Sequence, residues 1–568
     1  MIIQIKYQPN NCYFLGNTFR ILLISIFLSL NLFINSVAQD SCVYSRISTI
    51  NKYCKISGGL NYGISFQQNQ NNLLPQNLWN FSANINIKVL NILNLPFSYT
   101  ASSQNKQFNK PAFSRFGISP KYKNLTVHLG YRTLSFSEFT LASLMFKGFA
   151  VNYILKSQNL NITTIYGNFT QPDFTSQPTQ AIVNNQDPTN PYAIYPSNAE
   201  TLKTIGKGIK ISRQTISNSY SIIFFNFLKQ YNNDSLSIQN LTIQQNSLFS
   251  IEAQQKISSR LSFNSNFFLS LFPDYSKLSE LVYISSHSRQ STGWNFSLKY
   301  SLKNKMLSIN HLHIPSDYFS IGAPFLQNNL NQYSISLNLG LFKNLASFSI
   351  NSGIMQNNLD NKLNNTSKRI ISSIQAGIKI SKAVNLSIIY SNFSLYSLPV
   401  RIEFTDSVRF LQVTENAGVA ANFSKQNNKI QQNIMLSGQY QKARQIQRTE
   451  QNMPTNQLVN LSFNYNLKIK KLQLAINSGI NKSINLNTQA QNLWLPSIRL
   501  SKKICKNGGE IAGSTMLYLS KNSTVSHSQS ISYNNTILKK ININLSYQLS
   551  NRNNNMFTAG SAQISYTF

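Results

Sequence analysis

The chain has 568 residues, of which 42% are hydrophobic and only 12% charged, against roughly 25% charged in an ordinary soluble protein. Its formal net charge is +35, from 51 Lys and Arg against 16 Asp and Glu, but the bases are scattered and form no stripe, which argues against a nucleic-acid partner. No Gly/Ser/Pro-rich linker divides the chain, so its length points to one very large domain rather than a row of compact ones.

From the N-terminus, Lys6 and Arg20 precede an apolar run, Ile21 to Ile34, followed by Ser36-Val37-Ala38. A basic start, a short apolar core and small residues at the cleavage positions predict a secretory signal peptide over 1–38. At about 14 residues the run is short for a membrane anchor, which needs roughly 20. A short segment, 39–55, follows. An exported chain meets an oxidising compartment, which permits a Cys42 to Cys54 bridge ahead of the first strand. The remaining cysteines, Cys12 and Cys505, do not complete a zinc site, and no cofactor is implied.

From about residue 56 to 568 no sustained helical period occurs; short stretches alternate strictly instead. Ile56, Gly58, Leu60, Tyr62, Ile64 and Phe66 take one side of the first stretch, while Ser57, Gly59, Asn61, Gly63 and Ser65 take the other. The second sets Trp79, Phe81, Ala83, Ile85, Ile87 and Val89 against Asn80, Ser82, Asn84, Asn86 and Lys88. Only an extended strand separates such sets. The pattern returns at Leu125 to Tyr131, Trp294 to Leu302, Tyr333 to Leu341, Ile370 to Ile380, Val459 to Leu467, Leu472 to Ile480 and Ile541 to Leu549.

Lysines test which face meets lipid, because a Lys there costs about 2 to 4 kcal/mol at mid-depth. Lys88, Lys299 and Lys379 fall on the Asn/Ser face; Lys207 shares parity with Ile205 and Ile209 and is expected at an interface, where its stem can snorkel. Short connections are predicted at Lys303-Asn304-Lys305 and Asn481-Lys482, and surface loops at Gln171 to Glu200 and Tyr231 to Gln245. At about ten residues per strand the expectation is an all-β fold, a transmembrane antiparallel β-barrel of roughly 22 to 26 strands over 56–568.

The chain finishes on Ala562, Ile564, Tyr566 and Phe568, alternating with Ser561, Gln563, Ser565 and Thr567. A terminal aromatic strand is what barrel assembly machinery reads, which makes Phe568 the expected assembly signal. Closure is demanded physically, because each unpaired amide in hydrocarbon costs several kcal/mol.

The segment Phe116-Gly117-Ile118-Ser119-Pro120-Lys121-Tyr122-Lys123, continuing through Leu125-Thr126-Val127-His128-Leu129-Gly130-Tyr131-Arg132, resembles a pattern in a family of large outer-membrane β-barrel proteins of Bacteroidota. Leu134 to Leu141 is similar to the same family, with weaker echoes at Asp360 to Leu363, Tyr390 to Phe393 and Gln412 to Ala417. The resemblance implies a Gram-negative outer-membrane location and no particular activity.

Five histidines, at 128, 287, 311, 313 and 527, lack the neighbours of a hydrolase site, and the chain is not expected to be an enzyme. His311 and His313 share a strand face with Asp317 nearby; they could hold a divalent metal, or simply face the lumen or an interface. Arg401, Glu403, Asp406 and Arg409 are the densest mixed-charge cluster, either a constriction that selects solutes by charge or a solvated loop. Arg132 is read as projecting into the lumen, as pairing in a loop network, or as an interfacial arginine meeting lipid phosphate.

These features predict a cell outer membrane protein, a porin-like transport channel with anion preference. Its expected partners are outer-membrane lipids and lipopolysaccharide, the assembly machinery, and either inward-folded loops or a periplasmic or surface partner filling so wide a lumen. The competing readings are a structural or assembly/secretion component that does not transport, and a surface adhesin. The first strand begins too early to leave room for the folded plug of an energy-driven transporter.

Overall fold

The computed structural model describes residues 54–69, 77–90, 92–103, 113–169, 200–232, 242–273, 288–363, 365–399, 410–447, 455–487, 492–504, 509–520, 525–538, 540–552 and 555–568. The expected signal peptide over 1–38, Cys42 and Cys505 lie outside them. Residues 1–56 and 87–94 make a small unit, whose described part includes a turn in which the Ile92 amide donates to the Val89 carbonyl at 3.0 Å. Residues 57–86 and 95–568 make the large unit.

The large unit is a closed antiparallel barrel of 26 staves, each strand pairing with its neighbours in sequence. Strands run from β1 (Cys54–Asn69) to β27 (Asn555–Thr567), with β4 (Phe113–Ile118) and β5 (Lys121–Tyr122) sharing one interrupted stave beside β6 (Leu125–Thr133). Closure is made by β1 and β27, in register from Gly59 opposite Thr567 to Asn69 opposite Phe557. It ends with Gly58 and Phe568 exchanging backbone hydrogen bonds of 3.0 and 3.1 Å. Every ladder is thereby paired, as a β-structure in hydrocarbon requires. The strand count falls at the top of the range read from the sequence.

The register fixes two faces. On β10 (Ser219–Asn232) Ile222 and Phe224 are 52% and 46% exposed, and the row they begin runs round the wall through Ile251, Phe267, Leu298, Ile309, Ile335, Ile374, Val419, Ile498 and Ile531. This outward face is apolar, while the inward rows are Ser, Asn and Gln with most of the wall's cations, including Lys299 and Lys379. Lys207, on β9 (Glu200–Gln214), is outward between Tyr166 and Asn226, as its parity required.

Two outward cations elsewhere have partners: the Lys482 ammonium sits 4.3 Å from the Trp494 ring centre, and Arg444 meets Glu415 at 3.1 Å. That placement corrects the expected turn at Asn481-Lys482, which lies inside β22 (Leu474–Asn485) because Ile480, Lys482 and Ile484 continue one outward row. Likewise β10 and β11 (Thr242–Lys256) extend into the loop expected over 231–245. Their polar ends pair from Leu228 opposite Gln245 to Tyr231 opposite Thr242, since backbone pairing does not need apolar side chains.

Tight turns gather at the end that carries Phe568, as at Lys303, whose φ of 44° gives the left-handed bend a two-residue connection needs. The longer connections, including 134–144 and 315–329, lie at the other end.

Candidate functional site

The inside-polar rule is broken along one arc of the wall, most completely on β10. On β10 the inward residues Ile223, Phe225 and Phe227 are apolar and completely buried, although their neighbours Ile222 and Phe224 face outward. A strand apolar on both faces must be covered on both. The cover is two loops folded inward, 134–144 after β6 and 315–329 after β14 (Lys305–Ile314).

Each loop is closed by its own sequence. In the first, the Phe136 amide donates to the Leu141 carbonyl at 3.0 Å and the Ser137 hydroxyl accepts from the Phe139 amide. In the second, the Pro315 carbonyl accepts from the amides of Tyr318 and Asn329, and the Asn328 amide group donates to the carbonyls of Ser316 and Tyr318. A third connection braces it, the Leu359 amide donating to Asn329 Oδ1 at 2.6 Å.

The loops then bond to each other. The Tyr318 hydroxyl donates to the Phe139 carbonyl at 2.8 Å, the Ser320 hydroxyl to the Thr140 carbonyl at 3.0 Å, and the Ala142 amide to the Gly322 carbonyl at 2.9 Å. Burial pushes the Tyr318 phenol up from its ordinary pKa, which keeps it a neutral donor. To the wall, Asn246 on β11 accepts from the Ile321 amide at 3.1 Å and donates to the Phe319 carbonyl at 3.1 Å. Ser270 donates to the same carbonyl at 2.6 Å.

Between these bonds lies an aromatic core. Phe139 stacks on Phe268 with ring centres 3.9 Å apart and planes 9° apart, and Tyr318 meets Phe268 edge-on at 4.9 Å. Phe136 meets Phe225, which stacks on Phe227 at 4.4 Å. Room comes from glycines on the inner wall: a Cβ at Gly208 would enter the Phe225 ring, and one at Gly293 the Phe268 ring. Each fully buried large side chain contributes about 1.5 to 3 kcal/mol, so the loops are a packed part of the barrel and not a loose lid.

Charge marks the rim of this core. Lys210 donates to the Phe136 carbonyl and pairs with Glu252 at 3.2 Å, and Asn266 donates to the other Glu252 oxygen at 3.3 Å. Beyond the core, the inward rows carry Arg115, Lys256, Arg289, Lys299, Arg369, Lys379, Lys468 and Arg499. Among strand residues with described side chains, the inward carboxylates are Glu252 and Glu510. The inner wall is strongly basic.

Arg132 is inward, opposite Phe146. Its guanidinium donates to the Ser98 hydroxyl at 2.6 Å and the Pro96 carbonyl at 3.3 Å, and is bound to the wall beside the first loop. His311 and His313 take the outward face instead: His313 stacks on Trp294 at 4.2 Å and His311 on Tyr333 at 4.3 Å. Asp317 is exposed on the second loop, and no group of three metal-ligating side chains converges among the described residues. Arg401, Glu403, Asp406 and Arg409 lie outside those residues. Phe568 stands at the seam, its ring 5.5 Å from Tyr566. Inward-folded loops were expected; which loops was not, although Ile222 to Leu228, apolar at both parities apart from Asn226, carried the signal.

No family profile matches this chain, and no curated protein matches it in sequence. Among solved structures it is similar to the P pilus usher (PapC) translocation pore, at 9% identity and a TM-score of 0.39, covering 90% of this chain and 99% of that one. It is also similar to a BenF-like porin from Pseudomonas fluorescens Pf-5, at 11% identity and a TM-score of 0.30, covering 62% of this chain and 98% of that one. The outer membrane protein opdK from Pseudomonas aeruginosa follows at 9% identity and 0.28, with the same shares. These are likenesses of β-barrel architecture.

Proposed function

We propose that the chain is an outer-membrane channel, with no catalytic step, that passes small solutes and prefers anions. The observation that carries this reading is the division of the wall. Apolar side chains face outward round the barrel, as acyl chains demand, while Arg and Lys outnumber carboxylates on the inward rows. Rings of one charge sign in a low-dielectric wall concentrate the opposite ion.

The two inward loops support a channel narrowed by its own chain, because a barrel of 26 staves left unfilled would leak. The test is a planar bilayer with a salt gradient. A reversal potential displaced toward that of chloride is expected; no conductance from protein that shows the heat shift of a folded barrel, or a preference for potassium, would overturn the reading.

A further inference from the structure

On the turn side of the Lys210 and Glu252 pair, the inner wall of β10 to β14 forms a cavity of about 440 Å³. Its lining includes Ser221, Glu252, Gln254, Asn264, Asn295 and Asn310, and no aromatic or basic side chain. Two features set it apart from the rest of the lumen. Its carboxylate is one of two on the inward rows among strand residues with described side chains, and it is already neutralised by Lys210. Its other polar groups are all amides and hydroxyls, in a wall that is elsewhere basic.

We infer that this cavity is a binding subsite for neutral, hydroxyl-rich solutes such as short oligosaccharides and polyols. The inference rests on the channel reading and adds to it a class of neutral solutes that passes beside the preferred anions. The amide oxygens lining the cavity accept hydrogen bonds, and the amide nitrogens and serine hydroxyls beside them donate. A polyol supplies both from each hydroxyl, whereas carboxylate groups supply only acceptors, and the nearest cation, Lys210, is already paired with Glu252. An apolar solute would leave the lining amides and hydroxyls without partners. Since water competes for every one of these bonds, a dissociation constant of about 1 mM is expected, weak enough for the solute to leave again.

The cavity adjoins the loops, so bound solute would sit beside the packed core. Lys210 joins the two regions, its ammonium touching both the first loop and Glu252.

The experiment is isothermal titration calorimetry of the folded barrel, in a zwitterionic detergent without sugar head groups, with maltotriose as probe and citrate as the anionic comparison. Maltotriose is expected to bind and citrate not. Asn264→Leu combined with Asn295→Leu should weaken maltotriose at least tenfold, while Asn544→Leu, inward on the far wall, should leave it unchanged. Heat-shift gels confirm that each variant is folded, and Asn264→Ser with Asn295→Ser, which keeps small polar groups, serves if the leucines fail to fold. No binding of maltotriose at 20 mM, tighter binding of citrate, or equal loss with Asn544→Leu would overturn the subsite. Calorimetry needs no ion flow, so binding without conductance would remove the channel reading alone, and conductance without binding would remove the subsite alone.

Discussion

Strands β10 and β25 (Ser526–Ile537) turn every second residue inward in the same way and end in opposite states. On β10 the inward residues Ile223, Phe225 and Phe227 are sealed from solvent by two loops; on β25 the inward Ser528, Ser530 and Ser532 stay partly open. There, hydroxyls bond across the ladder, Ser530 with Ser514 on β24 (Glu510–Ser520) at 2.7 Å, as Ser546 does with Ser561 on the next pair. Parity therefore says which face a residue is on, and residue type says what covers that face. A serine row can rest against water, but a phenylalanine row inside a barrel needs protein on top.

The largest effect expected from breaking this contrast is at Phe139. Phe139→Ala removes the ring stacked on Phe268 and should cost about 3 to 5 kcal/mol, read as a lower midpoint of the heat shift and as larger or noisier single-channel currents. Gly322 comes next. Its Cβ would meet the Thr140 carbonyl and the Phe227 ring, so Gly322→Ala should cost about 1 to 3 kcal/mol by overpacking, measured by urea titration of the folded barrel.

Thr140→Val sharpens the comparison in the opposite direction. The Thr140 hydroxyl is buried between the loops with no partner, so replacing it with a methyl of the same shape should raise stability by about 1 kcal/mol in the same titration. The smallest effect belongs to the other wall. Ser514→Ala should change stability by no more than about 0.5 kcal/mol, because water replaces the lost hydroxyl contact. A cost at Ser514 equal to that at Phe139 would erase the distinction.

The barrel was legible because alternation repeats in every stave, and a one-residue slip would turn each apolar row inward. Strand ends were less legible. Asn481-Lys482 has turn composition yet continues a row, because a lysine near a barrel rim can lie over Trp494. The loop core was half visible: Ile222 to Leu228 departs from alternation, but its covering partners are Phe139, some 80 residues before it, and Tyr318, some 90 after it. Nothing local in either loop announces the other, since their bonds run from Tyr318 to the Phe139 carbonyl and from Ser320 to that of Thr140. Backbone acceptors leave no trace in side-chain identity. Arg132 could be placed inward by parity alone, but its partner Ser98 could not be named from the sequence.

The central claim is that the 134–144 loop lies packed inside the lumen. It is tested most directly by single cysteines in a background whose native cysteines are serine, reconstituted in liposomes and exposed to a membrane-impermeant thiol reagent. Glu138 is exposed and Leu141 is completely buried. Glu138→Cys should label at once and Leu141→Cys only after denaturation; equal labelling of both in the folded barrel would contradict the account.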